Sequence, residues 1–418
     1  MSVACGWNFW AAVSDDRALY LWGRAPYRLT PTKVAGIPAP VAMIAARGDH
    51  FGIVTTKGEL LMCGHGDHGR LGHGGGADIS TPSLIDRALF GNRNIHFVAC
   101  GRFFTAALTQ CGVVFTFGFG GHGQLGHGDE QHRWVPTEIP LARFKGHPIV
   151  MLAAGHGHMV ALSENGLVYT CGLGRSGQLG HGNDQDQRLP RQVEAARFAG
   201  KEVVFVAAGE WHTLAVTARG RLYTWGKGGH GQLGHRDSAL LLSLVPAEVA
   251  ETAMGGRPVS TAACGDDHTL VVTCDGALWA CGRGHQGQLG LGDDEDRSEL
   301  SQVLVGERDM AMVVTAAAAG FRSMCITDNG ALYAWGAGIC EFHPTFGGRH
   351  HTAPARLGPS HIDSGCLAGV RLGFGRRIPK EHVLAFAMGT HGRLGAAIDT
   401  HCSCLAKEHG LLQMIVNF

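Results

Sequence analysis

Histidine and cysteine are the residue types here with the most latent chemistry, at 25 and 13 of 418 residues. A metal site needs three or four such side chains converging on one point. His73, His127, His181 and His235 each follow a Leu-Gly pair, while His50, His158, His212 and His268 each open an apolar run. Equivalents in a repeat lie one unit apart, too far to share an ion. The first set therefore reads as turn histidines bonding the backbone, the second as histidines bonding a neighbouring unit. The cysteines obey the same periodicity. Cys5, Cys100 and Cys264 precede glycines, and Cys63, Cys171 and Cys281 stand where other units place Trp before Gly; both are positions for a small buried apolar side chain. Cys402-Ser403-Cys404, beside His401 and His409, lacks the spacing of a zinc knuckle. Gly-x-Gly-x-x-Gly strings such as the one from Gly118 to Gly123 lie between strands and open no helix, so they mark no nucleotide site. There is no nucleophile elbow, phosphate loop or carboxylate pair. No catalytic residue, metal or cofactor is expected.

The periodicity that disposes of these sites is itself the main signal. A small residue followed by Gly recurs at Gly6, Gly48, Gly101, Gly155, Gly209, Gly265 and Gly320, with spacings of 42, 53, 54, 54, 56 and 55. Each unit of about fifty-four residues reads alike. After Gly209 come a strand (212–217), a Gly-containing turn at Ala218-Arg219-Gly220 and a return strand ending in Trp225-Gly226. A glycine loop, Gly231-Gln232-Leu233-Gly234, follows, then an outer strand near Pro246, an edge position where the missing N–H costs no ladder bond. A last strand, 259–263, leads into the next anchor. Four short antiparallel strands per unit, seven times over, predict an all-β fold: a seven-bladed β-propeller of four-stranded antiparallel blades. The propeller is assigned to residues 1–372, and residues 373–418 to closing strands or a cap.

Bulk composition narrows the partners. Lys plus Arg and Asp plus Glu are equal at 35 each, so no global field draws the chain to nucleic acid or anionic lipid. An odd number of scattered cysteines in a long chain fits free thiols in a reducing compartment, cytoplasmic or nuclear. The longest apolar run, near 312–319, is too short to span a membrane, and the apolar stretch 1–9 has no basic lead, so no signal peptide is expected.

The Gly-x-x-His-Thr strand start, the Leu/Val-Tyr-x-Trp/Cys-Gly strand end and the Gly-Gln-Leu-Gly loop resemble the repeats of the regulator of chromosome condensation family. The likeness runs over residues 2–372, with five full signatures and two degraded ones. In that family the bend after each anchor glycine lies on one face of a disc. The resemblance thus implies a partner-binding ring of Asn8, Asp49, Arg102, Phe103, His156, Glu210, Trp211, Asp266, Asp267, Phe321 and Arg322. Acids, arginines and aromatics of this kind suit a protein contact surface. The function expected is a protein-interaction propeller acting as scaffold, adaptor or regulatory module. The alternative that the resemblance implies is guanine-nucleotide exchange on a Ran-like small GTPase. Exchange factors of the family insert a wedge in place of one glycine loop. The irregular seventh unit offers Glu341, Phe342 and His343 for that role, and Asp49, Asp266 and Asp267 match the strand-start acids. A plant ultraviolet photoreceptor of this family needs repeated Gly-Trp-Arg-His-Thr units; no second unit repeats the Trp211 arrangement, so that chemistry is not expected.

If residues 373–418 close or cap the ring, deleting them will lower the melting temperature or the soluble yield. An unchanged melting curve for residues 1–372 would make them an appendage.

Overall fold

Hairpin chemistry sets the local structure. His212–Thr217 pairs antiparallel with Leu222–Lys227, and the turn between them holds Gly220 at φ +72°, where a Cβ would lie 2.5 Å from Pro258 of the next blade. The computed structural model describes residues 2–23, 31–236, 241–306, 312–337 and 350–357. Within them, 28 strands form seven four-stranded antiparallel sheets, each from four consecutive strands. This is the seven-bladed propeller that the repeats predict.

The first strands of blades 1 to 7 are Ser2–Cys5, Val41–Arg47, Ile95–Cys100, Ile149–Ala154, Val203–Ala208, Val259–Cys264 and Val313–Ala319. Each touches the next, and the seventh touches the first, so these strands surround the axis as a closed ring. The sequence unit counted from its anchor glycine straddles two blades, because its last strand is the innermost strand of the blade that follows. Blade 1 is the shortest, with a fourth strand of only Thr32–Lys33. Both end blades have four strands of their own, ending at Lys33 and Arg356. The closing or capping role assigned to residues 373–418 lies outside the described residues.

What holds neighbouring blades in place is one side-chain pair per junction, between the first two residues of successive second strands. His50, His158, His212 and His268 set Nε2 against Thr105, Thr213, Thr269 and Ser323 of the next blade, at 2.9–3.0 Å. Those hydroxyls donate to the carbonyls of Arg70, Gln178, Gln232 and Gln288 at 2.8 Å. A hydroxyl has one proton, so each must accept from the histidine, which fixes the neutral Nε2–H tautomer. Two further junctions are apolar: Phe9 meets Phe51 with ring centroids 5.2 Å apart, and Phe104 shares a core layer with Met159. The closing junction differs again. Arg322 of blade 7 pairs with Gly336 as the histidines pair with Gly64, Gly172, Gly226 and Gly282. It lies 4.4 Å over the Trp10 ring of blade 1 and donates to the Gly6 carbonyl.

The glycine loop fastens the outer parts of the blades. Its Gln124, Gln178, Gln232 and Gln288 accept from the backbone N–H two residues earlier at 2.9 Å, and Leu125, Leu179, Leu233 and Leu289 are buried. Gly123, at φ +75°, approaches the next blade's outer strand so closely that a Cβ would lie 2.6 Å from the Arg188 Cα; no side chain fits there. The turn histidines meet expectation in part. His73, His181 and His235 interact with the backbone of Ser83, Thr170 and Thr224 as expected, but His127, His181 and His235 also bond the hydroxyls of Thr116, Thr170 and Thr224 at 2.9 Å, because the third strand presents a threonine beneath each of those turns. The hydrophobic core is correspondingly divided into layers between blades. Short 3-10 turns after the outer strands plant Phe90, Phe144, Phe198 and Met254 in those layers.

Protonating a junction histidine would place a second N–H where Nδ1 has no partner. Burial, the largest cause, pushes His50, His158, His212 and His268 down to about 3 from 6.5. The unfolded chain therefore takes up these protons first as pH falls. The stability contribution is complete above pH 6.5 and is lost between 6.5 and about 3, at ~1.4 kcal/mol per histidine per pH unit. Urea midpoints should drop steeply from pH 7 to pH 5, and less steeply in His158→Phe/Thr213→Met, which copies the apolar junction. Equal slopes in both proteins would contradict this.

Candidate functional site

The bends between first and second strands gather at one end of the disc. Backbone bonds link five of them in series. The N–H groups of Trp7, Arg102, His156, Glu210 and Asp266 donate to the carbonyls of Gly48, Gly155, Glu210, Asp266 and Gly320 respectively, at 2.7–3.4 Å. The structure thus brings Asn8, Asp49, Arg102, Phe103, His156, Glu210, Trp211, Asp266, Asp267 and Phe321 to one surface. Arg322 belongs to the strand, in the histidine place described above. None of the eleven is fully exposed, and Asp266, Asp267 and Arg322 are buried.

Arginines of blades 2 and 3 reach over the axis to partners in non-adjacent blades. Arg47, one residue ahead of its anchor glycine, reaches from blade 2 to the Ala208 carbonyl of blade 5 at 2.9 Å and to Asp266 of blade 6 at 3.2 Å. Both side chains of that ion pair are under a tenth exposed. Arg102 of blade 3 pairs with Glu210 of blade 5 at 2.8 Å and lies 4.3 Å over the Trp7 ring of blade 1. Burial first, and then the Asp266 carboxylate, push the Glu210 carboxyl upward, against Arg47 and Arg102. Asn8 donates to Asp49 at 3.0 Å.

A second tier went unnoticed in the sequence. In blades 2 to 7 the residue after the third-strand glycine donates its N–H to the bend of its own blade; these residues include His65, Phe119, Lys227 and Arg283. Lys227 and Arg283 flank the buried Asp267, at 3.3 and 3.7 Å. Across the disc, Phe103, Phe119, His68 and His156 make edge contacts at 5.0–6.3 Å, and His156 adjoins Trp211 at 4.7 Å. Burial and the neighbouring arginines hold His156 near 4, so it is neutral at pH 7. The missed signal was positional: a variable residue directly after an invariant-looking Gly, and an Arg at 47 where other units carry Ala or Cys.

Little here supports covalent chemistry. Among the described residues no three His, Cys, Asp or Glu side chains converge as metal ligands. Buried Cys5, Cys63, Cys100 and Cys264 are pushed up to about 12, chiefly by burial, so they stay protonated and inert. No helix among the described residues is long and apolar enough to cross a membrane. The candidate wedge residues Glu341, Phe342 and His343 lie outside the described residues.

A closed ring of seven blades joined by glycine loops, with its variable side chains gathered at one end, defines a repeat propeller of the regulator of chromosome condensation type. Residues 25–363 match the RCC1-like domain model, and the chain belongs to that family. It is 33% identical over 371 residues to the ultraviolet-B receptor UVR8 of Arabidopsis thaliana, covering 87% of this chain and 80% of that protein. It is 36% identical over 288 residues to the human E3 ubiquitin-protein ligase HERC2, covering 69% of this chain but only 6% of that ligase. Among solved structures, Prp20p of Saccharomyces cerevisiae, described with its binding to Gsp1p and histones, superposes with a TM-score of 0.71 at 22% identity, over 83% of this chain and 87% of that one. Human WBSCR16 gives 0.67 at 24% identity, over 77% and 84%. At such identities the solved structures speak for the fold alone.

The Arg47–Asp266 pair carries a stability prediction. Arg47→Ala strands a buried carboxylate and should cost about 3–5 kcal/mol in chemical denaturation. Arg47→Met/Asp266→Asn should recover a large part of that loss. A double variant as unstable as the single one would deny the coupling.

Proposed function

We propose that this chain is a protein-interaction propeller that binds partners through the end of the disc carrying the bends. One observation carries the reading. A backbone repeated seven times, with bends bridged by a backbone hydrogen bond at five junctions, displays different side chains in every blade. Scaffold requirements alone ask for no such variety. The half-buried aromatics Phe103, Phe119 and Trp211 and the cations Arg102, Lys227 and Arg283 are the residue types that anchor protein partners. Asn8, Asp49, His156 and Phe321 complete the contact ring, while Arg322 and Asp266 support it from beneath. No nucleic-acid or membrane role is included, and the free thiols among the described residues suit a cytoplasmic or nuclear setting.

Guanine-nucleotide exchange on a Ran-like GTPase is the second reading, supported by family membership. Of Asp49, Asp266 and Asp267, the acids that the resemblance assigned to it, the last two are engaged by Arg47, Lys227 and Arg283, and Asp49 accepts from Asn8. Releasing those two to a GTPase would mean breaking buried ion pairs, so the interaction-platform reading is preferred.

Pulldown from cell extract should recover partners with the full chain and lose them with Phe103→Ala/Trp211→Ala at unchanged melting temperature. Micromolar protein should leave GDP release from a Ran-like GTPase at its intrinsic rate. Retention of every partner by the double variant would remove this face from the function, and accelerated release would favour the second reading.

A further inference from the structure

The charges of the bend surface are arranged by depth. The Asp266 and Asp267 side chains are each 8% exposed, whereas those of Lys227, Arg283 and Arg102 are 37%, 33% and 29% exposed. The acids lie beneath and the cations above, so an approaching molecule meets the cations first. At blade 6 the balance is uneven. Lys227 and Arg283 share the single carboxylate of Asp267, which also accepts from the Gln232 amide at 3.3 Å. Arg283 approaches it only to 3.7 Å, beyond hydrogen-bond range, and its Nε has no acceptor. Two cations a third exposed, sharing one buried carboxylate, therefore border the surface side by side; the Arg283 Nε is itself buried, and its guanidinium lies 5.3 Å over the Phe321 ring. Beyond Arg102, in blades 3 and 4, the surface turns aromatic, with Phe103 and Phe119 at 6.3 Å and His156 held neutral.

Resting on the interaction-platform reading, we propose that the partner segment is an acidic stretch of protein carrying an adjacent apolar side chain. Its carboxylates pair with Lys227 and Arg283, and its apolar residue packs on the Phe103–Phe119 pair. Charge complementarity commits the surface to this occupant. A basic segment would meet two cations whose one counter-ion among the described residues is already buried, and a uniformly charged one would leave the aromatic half uncovered. Charge-assisted bonds to carboxylate are the strong ones, and guanidinium and ammonium groups a third exposed retain enough solvent to be desolvated at modest cost.

The probe is a fluorescein-labelled peptide of glutamates around a central phenylalanine, titrated by anisotropy into the full chain, with an all-glutamate and a lysine–phenylalanine peptide for comparison. Binding is expected for the first peptide, weaker binding for the second and none for the third. Arg283→Gln and Lys227→Gln, each leaving one cation on Asp267, should weaken binding about five- to tenfold, or ~1–1.4 kcal/mol; Lys227→Arg should restore it. Phe119→Ala should erase the advantage of the phenylalanine peptide over the all-glutamate one. Melting temperatures of the variants monitor folding, and Lys227→Arg keeps the test valid if a glutamine variant is destabilised. The proposal falls if the lysine peptide binds as well, or if both glutamine variants bind undiminished. It also falls if phosphatidylserine vesicles or single-stranded RNA bind in place of the acidic peptide and are lost in the same variants. Should extract partners depend on Phe103 and Trp211 yet resist competition by the acidic peptide, the interaction platform stands and only its charge preference is overturned.

Discussion

Each blade-to-blade boundary is decided by a pair of side chains that must match in kind. An imidazole N–H needs a hydroxyl already turned towards a carbonyl, an aromatic ring needs another apolar group, and a guanidinium needs a ring face. A mismatch would bury an unpaired polar atom at the centre of a layer with no water to satisfy it. Three kinds of pair, all within the first two residues of the second strands, thus order seven sheets around an axis. The glycine loops add distance control further out, since Gly123 accepts the neighbouring strand at a separation no other residue allows.

This internal accounting leaves the bend surface free to vary. Arg47, Arg102 and Arg322 are spent largely on joining blades, and the acids they touch are spent with them. What remains outward is a strip of aromatics with the neutral His156 on one side and the cations Lys227 and Arg283 on the other. The ultraviolet-B receptor and the ubiquitin ligase resemble this chain over 371 and 288 residues, so the same framework occurs in proteins of different activity.

Much of the architecture was legible before any coordinates, because glycines in fixed register and period-two apolar runs are demands of the backbone. That the strand-start histidines bond a neighbouring blade was legible too, but not their Thr or Ser acceptor, because His50 and His158 are followed by Phe51 and Met159. Other features were hidden for identifiable reasons. Arg322 looks like a bend residue by spacing, but the bend of blade 7 is one residue shorter, as the pairing of Arg322 with Gly336 shows. Asp266 and Asp267 look exposed because loops usually are; Asp266 is buried against Arg47, more than two hundred residues away in sequence, and Asp267 beneath Lys227 and Arg283. Lys227 and Arg283 follow a glycine that reads as the end of a strand, and only the hydrogen bond back to the bend reveals that they border the same surface.

Matching at the boundaries also governs how such an array can grow. Blade 5 receives a histidine on Thr213 and offers His212 onward, so a tandem copy of it would meet itself with the correct chemistry. A copy of blade 3 would set Phe104 against Thr105, and a copy of blade 7 would set Arg322 against Ser323. Unequal recombination within the gene would therefore find some repeats self-compatible and others sterile.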